Sequence, residues 1–328
     1  MKKEFNQSSD QTLGQKVSNA MALLNSQAPK NDGSNVLVPS VTDDKGRGSD
    51  IFSNLLAQRI IVVQGQVEAG MAGVIQAQLR YLEAQDANKE ITLIINSPGG
   101  SVVDGLAIYD TMRLVNCPIT TVGVGMQASM GSVILAGGDT RVLAPNAKVL
   151  IHQGSGQAEG TPSDEKIGRA FHDSLVDSLK TIYQDHIGLT REFWSLVMTR
   201  DTWFSAEQAK EIGFVNGVLE VPAGKKAPYA QDRTAADDAL QASKEAFVAS
   251  LGNDVNKVIQ ALNSEGADPT NTAGSCRPEL AVALSKFPKF WTATKKAELE
   301  KAAQATAVSN DNNNVHKARA PKLAGLKH

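Results

Sequence analysis

Along the middle of the chain, short runs of β-branched apolar residues alternate with segments whose apolar residues recur three or four positions apart. The short runs are typical of buried strands, and the spaced segments are typical of helices that bury one face. Strands and helices that alternate in this rhythm predict an α/β fold. The predicted strands are 59–64, 91–95, 119–124, 141–143 and 148–151, and the predicted helices are 71–84, 102–115 and 125–136.

A long amphipathic helix is predicted after these elements. The segment 161–164 (TPSD) supplies an N-cap, a proline at the first helical position and an acid at the third. The apolar residues that follow form a stripe that is wide for one domain to cover, so we expect a second subunit to bury part of it. The stripe consists of Ile167, Phe171, Leu175, Leu179 and Tyr183, and it is widened by Val176, Ile182 and Ile187.

The two ends of the chain lack a sustained core pattern. Residues 1–50 are rich in Ser, Asn, Gln, Asp and Gly, which predicts a disordered N-terminal arm. Residues 223–328 are rich in Ala, Lys, Asn and Thr, with possible amphipathic helices at 237–251 and 293–305. The sequence therefore predicts a central domain at 51–222 and a partly helical, largely flexible C-terminal tail.

Composition excludes several classes of partner. The 33 basic and 35 acidic residues give a formal net charge of −2, which offers no reason to expect nucleic acid or an anionic membrane. No apolar run reaches the ~18–20 residues of a membrane helix. Cys117 and Cys276 lack metal-ligand spacing, and no phosphate-binding loop occurs, so we expect no metal, no cofactor and a cytoplasmic location.

Ser129 is the first candidate for chemistry. A strand ends near Val124, the chain turns on small residues, and a helix begins at this serine. A hydroxyl in that position lies beside unpaired backbone N–H groups, which favour developing negative charge. Taken alone, however, a serine at a helix start is more often an ordinary N-cap.

Three further features gain weight from their order along the chain. Gly99 and Gly100 form a turn that allows close approach of the backbone, His152 follows an apolar strand, and Asp201 precedes a capped helix. Each has an ordinary structural explanation: a tight turn, a buried structural histidine or a loop aspartate. Together, a serine, a histidine and an aspartate at element junctions match the roles of a catalytic triad, which is recognised by role and not by chain order.

The sequence over about 51–222 resembles the ClpP family of serine peptidases. Its motifs follow one another in the order seen in that family, and the combination is highly specific. The segments that carry the likeness are DIFSNLL at 50–56, QGQV at 64–67, INSPGGSV at 95–102, IYDTM at 108–112, MQASMG at 126–131, IHQ at 151–153, RD at 200–201 and FSAEQA at 204–209.

The resemblance implies a crotonase-like spiral of ββα units with a protruding handle helix, assembled as two stacked heptameric rings that enclose the sites. It implies that Ser129, His152 and Asp201 form the triad, with Gly100 and Met130 as the oxyanion hole. Extended polypeptide would pair with a strand from Gln153 to Gly160, and an AAA+ unfoldase ATPase of the Clp type would deliver it. The residues implied to bind substrate are Gly99, Gln153, Gly154 and Ser155.

The chain departs from the family in three respects. Thr199 stands where an acid often precedes the Arg-Asp pair, which puts an ionic contact between rings in doubt. Thr92, Ile94 and Leu114 occupy positions of an ATPase-docking pocket that is often aromatic, and the tail is unusually long. Alternatives are therefore a phage or mobile-element head-maturation protease on the same fold, a crotonase-type acyl-CoA enzyme and an inactive ring subunit.

Overall fold

The computed structural model describes residues 40–42, 48–154, 156, 160–222, 225, 235–264 and 277–302. Predictions that concern residues 1–39 or Ser155 lie outside this part of the chain. In chain order, the elements are β1 (Ser40–Thr42), β2 (Gly48–Asp50), α1 (Ile51–Ala57), β3 (Ile60–Gln64), α2 (Ala69–Gln85), β4 (Ile91–Ser97), α3 (Val102–Leu114), β5 (Ile119–Ala128), α4 (Met130–Ala136), β6 (Thr140–Leu143), β7 (Lys148–Ile151), α5 (Pro162–Ile187), α6 (Arg191–Val197), β8 (Thr202–Ser205), α7 (Ala206–Glu211), β9 (Gly217–Val218), α8 (Ala235–Ser250), α9 (Val255–Ser264), α10 (Arg277–Ser285) and a 3₁₀ helix (Pro288–Phe290).

The central sheet is mostly parallel. Among the described strands, β3, β4, β5, β6 and β9 pair in that order, and all of these pairs are parallel. The first half of β5 pairs with β6 and its second half pairs with β7, so the sheet divides along β5. Strand β8 then pairs antiparallel with β7. This mixed α/β architecture confirms the predicted fold class and is consistent with a ClpP/crotonase-like fold.

The core forms where the apolar runs predicted it. Strand β4 buries nearly its whole length, and every residue of α4 is buried. Helices α2 and α3 pack against each other, and their apolar faces join the same core as the strands. Burial on both faces explains why these parallel strands read as continuous apolar runs and not as alternating ones.

Helix α5 is buried at only one end. Thr161 and Asp164 form the predicted capping box, and the helix ends at Gly188, which has a φ of 78°. Near that end Leu179, Ile182, Tyr183 and Ile187 are buried, whereas Ile167 and Phe171 are 68% and 57% exposed. The stripe predicted from the sequence therefore continues onto a part of the helix that the described residues leave uncovered.

The described part of the C-terminal tail packs onto the domain. Val258, Leu262, Leu280, Leu284 and Phe290 are buried in the same hydrophobic core as the central domain. The sequence led us to expect a largely flexible segment, because its composition is rich in Ala, Lys, Asn and Thr and its apolar residues are divided among several short helices. The domain boundary at 222 stays a prediction, but this part of the tail is not loosely organised.

The predicted N-terminal arm also contains some structure. Strands β1 and β2 form a two-stranded antiparallel sheet that leads directly into α1. The side chain of Asp50 caps α1 by accepting a hydrogen bond from the Ser53 N–H. The disorder predicted for residues 1–50 therefore does not extend to these two strands.

Candidate active site

Sheet topology brings the three candidate catalytic residues to one place. Strand β5 ends immediately before Ser129, and parallel β7 ends immediately before His152. Because β8 runs antiparallel to β7 and pairs Ile151 with Thr202, the residue before β8 lies next to the residue after β7. Asp201 is thereby placed beside His152. Ser129 is tied to β7 as well, because its N–H donates to the Leu150 carbonyl of that strand at 3.0 Å.

Ser129 has an unusual backbone conformation. Its φ of 54° and ψ of −120° place a residue that is not glycine in a sparsely populated region. Its side chain makes no capping hydrogen bond to α4, which argues against the ordinary N-cap role that the sequence left open. Strain of this kind persists only where the surroundings enforce it, and it is common at active sites.

The Gly99-Gly100 turn lies directly against the nucleophile candidate. A Cβ atom at Gly99 would be 2.6 Å from the Ser129 Cβ and 2.9 Å from the Met130 nitrogen, so no other residue fits there. Gly100 forms a parallel β-bridge with Val67. In this bridge the Val67 N–H donates to the Gly99 carbonyl at 2.8 Å, and the Ser101 N–H donates to the Val67 carbonyl. It does not use the N–H of Gly100.

His152 and Asp201 contact each other directly. Nδ1 of His152 lies 3.3 Å from Oδ1 of Asp201, and the two side chains are 25% and 66% exposed. The Nε2 atom of His152 is buried and has no hydrogen-bond partner within the described part of the chain. With Nδ1 on a carboxylate and Nε2 without a partner among the described residues, the imidazole can accept a proton at Nε2.

Two supporting residues were not recognised from the sequence. Ser97 is fully buried, donates from Oγ to the Gly65 carbonyl at 2.6 Å and accepts from the Gly99 N–H at 3.1 Å. Gln127, also fully buried, donates from Nε2 to the carbonyls of Ile95 and Val124. Each is a polar residue at the end of an apolar strand, and that is the signal that could have found them.

A buried tyrosine lies beneath the nucleophile candidate. Ser132 Oγ donates to the Ser129 carbonyl at 2.6 Å and lies 2.7 Å from the Tyr183 hydroxyl. Since the serine has a single hydroxyl proton, Tyr183 is the donor in this second bond. Burial raises the pKa of Tyr183 well above its usual range, so it stays protonated.

The predicted substrate strand is described only in part. The Gln153 N–H donates to the Met198 carbonyl at 3.1 Å, and Gly154 has a φ of 78° with open space where a Cβ would lie. Gln153 also lines a pocket of about 350 Å³ with His172 on α5. Ser155, the last of the predicted substrate-binding residues, falls outside the described part of the chain.

The positions expected to dock an ATPase do not form an open pocket. Thr92 and Ile94 are buried, at 7% and 1% exposure, whereas Leu114 is 67% exposed. Thr199 is exposed, and its hydroxyl donates to the Ser195 carbonyl at the C-terminal end of α6.

Two kinds of site are absent from the part of the chain that the structure describes. No cluster of His, Cys, Asp or Glu there could hold a metal ion, and no helix there combines the length and apolarity needed to cross a membrane.

Comparison with protein families identifies the domain that carries this site. A family model described as Clp protease matches residues 43–222, which is more than half of the chain. Proteins of this family are peptidases that generally form oligomeric rings with Clp ATPases. The chain therefore belongs to the Clp protease family and contains a ClpP-type peptidase domain.

Proposed function

We propose that the chain is a serine endopeptidase in which Ser129 is the nucleophile, His152 the general base and Asp201 the residue that orients the base. The observation that carries this proposal is the 3.3 Å contact between Nδ1 of His152 and Oδ1 of Asp201, beside a buried Nε2 that has no partner among the described residues. We assign the Ser129 hydroxyl, at the end of the strand next to β7, as the group whose proton this nitrogen accepts during catalysis.

The arrangement supports a two-step hydrolysis. Ser129 Oγ attacks the carbonyl carbon of the scissile peptide bond while Nε2 of His152 accepts its proton. The C–N bond then breaks, and His152 returns the proton to the leaving amine. Water, activated by the same nitrogen, hydrolyses the acyl-enzyme and regenerates the serine. Asp201 fixes the tautomer of His152 and stabilises the imidazolium in both steps.

The turn at Gly99 and Gly100 supports an oxyanion hole. We assign the N–H groups of Gly100 and Met130 to the negative oxygen of the tetrahedral intermediate. Met130 directly follows Ser129, Gly99 beside Gly100 lies against Ser129, and the Val67 bridge does not use the Gly100 N–H. Gly99, Gln153, Gly154 and Ser155 would line the extended substrate. Main-chain pairing of this kind favours unfolded polypeptide, because a folded chain has already paired its backbone groups.

We further propose that the chain acts in two stacked heptameric rings that enclose the sites. The exposed apolar residues Ile167 and Phe171 on α5 support burial of that helix end by another subunit. The sequence contains no phosphate-binding loop, so unfolding of substrates would require a separate AAA+ unfoldase of the Clp type. The absence of cysteine spacings typical of disulfide scaffolds fits the cytoplasm.

Labelling with a fluorophosphonate, followed by peptide mapping, tests the chemistry. The full chain should be labelled at Ser129, and His152→Ala should slow the labelling by orders of magnitude because the hydroxyl loses its base. Ser163→Ala, an exposed serine at the start of α5, is the matched control and should be labelled like the parent. Label on another residue, or none on the intact protein, would overturn the assignment.

A second candidate is a processing protease, of phage or mobile-element type, that acts on an assembly partner without an ATPase. The burial of Thr92 and Ile94 favours it, because these positions offer no open aromatic pocket to a docking loop. Light scattering combined with digestion assays separates the two. A ring that cleaves short peptides, spares a folded protein and is stimulated by a Clp-type ATPase supports the first; a ring that no such ATPase stimulates supports the second.

A further inference from the structure

The C-terminal tail forms a short antiparallel contact with the chain that leads into α6. The Thr190 N–H donates to the Phe290 carbonyl at 2.8 Å, and the Thr292 N–H donates to the Gly188 carbonyl at 3.0 Å. Between these bonds, Leu189 and Trp291 form a β-bridge. The tail therefore holds the N-terminal end of α6 by backbone pairing as well as by packing.

Phe290 is the side chain through which this contact enters the core. It is fully buried, and its ring centroid lies 6.0 Å from that of Phe193 on α6 in an edge-on arrangement. Phe193 in turn packs edge-on against Trp194 at 5.0 Å. A smaller side chain at Phe290 would therefore alter the packing of α6 directly.

The C-terminal end of α6 holds both partners of the His–Asp pair. The Val197 carbonyl accepts a hydrogen bond from Thr202 Oγ1 at 2.9 Å, and Thr202 directly follows Asp201. The Met198 carbonyl accepts from the Gln153 N–H at 3.1 Å, and Gln153 directly follows His152. The position of α6 therefore sets where Asp201 stands relative to His152.

A second tail contact fastens the other end of β8. Glu279 Oε1 accepts from Gln208 Nε2 at 3.1 Å, and Gln208 Oε1 accepts from the Ser205 N–H at 2.9 Å. Ser205 is the last residue of β8, the strand that begins directly after Asp201. Contacts from the tail thus support both ends of the segment that consists of Asp201 and β8.

We propose that the tail is a positioning element of the peptidase site, in which Phe290 and Glu279 hold α6 and β8 so that Asp201 stays beside His152. This inference rests on the proposed function of the triad. Asp201 needs such support because its side chain is 66% exposed and the strand it precedes has only four residues. The tail acts through the backbone on either side of Asp201 and touches neither substrate nor the reacting atoms.

The first test compares Phe290→Ala with Phe290→Leu and Leu299→Ala in the full chain. Leu299 is the matched control, because it is a large apolar tail residue that is 42% exposed. Active sites are counted with a fluorophosphonate labelled to completion, and kcat/KM is expressed per labelled site. We expect Phe290→Ala to lower this value about 10- to 100-fold, since small displacements of catalytic groups have effects of that size. Phe290→Leu should keep most of the parent's kcat/KM per labelled site, because leucine still fills much of the buried space.

The split between kcat and KM separates positioning from simple loss of folding. A displaced Asp201 should lower kcat per labelled site and leave KM for a short peptide close to that of the parent, because the orienting carboxylate acts in the chemical step. A variant that is only less stable would show fewer labelled sites, with the parent's kcat and KM per site. That second result for Phe290→Ala would overturn the inference.

The Glu279 pair keeps the inference testable if Phe290→Ala does not fold. Glu279→Gln retains an oxygen that accepts from Gln208, whereas Glu279→Ala removes it, so only the alanine variant should lower the per-site rate. Equal rates for both variants and the parent would contradict the proposal. Failure of the parent protein to be labelled at Ser129 would instead refute the triad, so the two hypotheses fail by different observations.

Discussion

The two halves of the candidate site are built differently. The nucleophile half, Ser129 with the Gly99-Gly100 turn, lies between central strands and a helix that is buried at every residue. The orienting half, His152 and Asp201, lies on an outer strand pair, and its acid is 66% exposed. Local packing fixes the first half, whereas the second depends on α6 and, through it, on residues some 90 positions further along the chain.

This difference has consequences for mutation. Around Ser129 the backbone has almost no room to move, so a change of the side chain alters chemistry and leaves geometry intact. Around Asp201 the geometry itself can change, so variants at distant positions should produce graded losses of activity. Variants of the two halves therefore provide a direct check on the comparison.

The largest effect is expected from Ser129→Ala. It removes the nucleophile, and loss of the serine of a triad lowers kcat by about 10⁶-fold in a well-studied protease. The far-UV circular dichroism and the midpoint of urea unfolding should stay close to those of the parent, because no hydrogen bond of the Ser129 side chain holds α4. A variant that keeps more than about a tenth of the peptidase activity contradicts the assignment.

Asp201→Asn should lower kcat by about 10⁴-fold, which is less than the loss expected for Ser129→Ala, because His152 remains but takes the wrong tautomer. The exposed Asp110→Asn on α3 provides a control for the loss of one negative charge. A loss as large as that of Ser129→Ala would mean that Asp201 does more than orient His152. No loss at all would remove Asp201 from the site.

Residues of both halves were named from the sequence, but the joint order of the motifs and the resemblance to a family, not a local pattern, put them into one predicted site. Residue order shows only that the turn glycines and Ser129 each follow the end of a predicted strand. The apolar runs also gave the strands of the sheet, because continuous burial leaves a clear pattern. The supporting bonds of Ser97 and Gln127 were not predictable, since they depend on which carbonyl each side chain reaches across the sheet.

The support of Asp201 could not be read from the sequence at all. Phe290 and Glu279 lie in a region whose composition resembles a flexible tail, and their partners Thr190 and Gln208 are far away along the chain. Contacts of such long sequence separation leave no local periodicity. Only the folded arrangement shows that short helices with a few apolar residues each can together fill one face of the domain.

The pH dependence of the rate tests His152 in the orienting half. Peptide hydrolysis should fall as the pH is lowered from neutral, because a protonated imidazole cannot accept the proton of the Ser129 hydroxyl. The measurement is kcat/KM from pH 5 to 9 with a short peptide, under conditions in which chemistry limits the rate. A flat profile over this range would argue against a histidine base.

The bonds beneath the nucleophile half should affect stability more than activity. Ser132→Ala leaves the buried Tyr183 hydroxyl without its partner and should cost ~1–3 kcal/mol of unfolding free energy. Tyr183→Phe removes that hydroxyl but lets Ser132 keep its bond to the Ser129 carbonyl, so it should cost only about 1 kcal/mol. Urea unfolding of both variants measures the difference, and equal costs would show that the stranded Tyr183 hydroxyl carries no additional penalty.

The smallest effect is expected at His186, which lies outside both halves and should change stability but not rate. Burial, together with the nearby Arg113 and Arg141, lowers the pKa of His186 to about 4, although Asp185 and Asp139 act in the opposite direction. In the unfolded chain the ring takes up its proton near pH 6.5, so between these values the unfolded state binds more protons and is favoured as the pH falls.

The contribution of His186 to stability should therefore be complete above about pH 6.5 and be lost progressively towards pH 4. Because the side chain is partly exposed, we expect a loss on the order of 1 kcal/mol. Urea unfolding at pH 7.5 and pH 5 should show a smaller difference for His186→Gln, which can still bond to the Tyr109 hydroxyl that lies 2.9 Å from Nε2 in the parent. If the parent and the variant lose the same stability, the ring does not titrate as its burial implies. If instead the variant shifts the pH profile of hydrolysis, His186 is coupled to the site, and the separation between the orienting half and the rest of the domain is weaker than the contacts indicate.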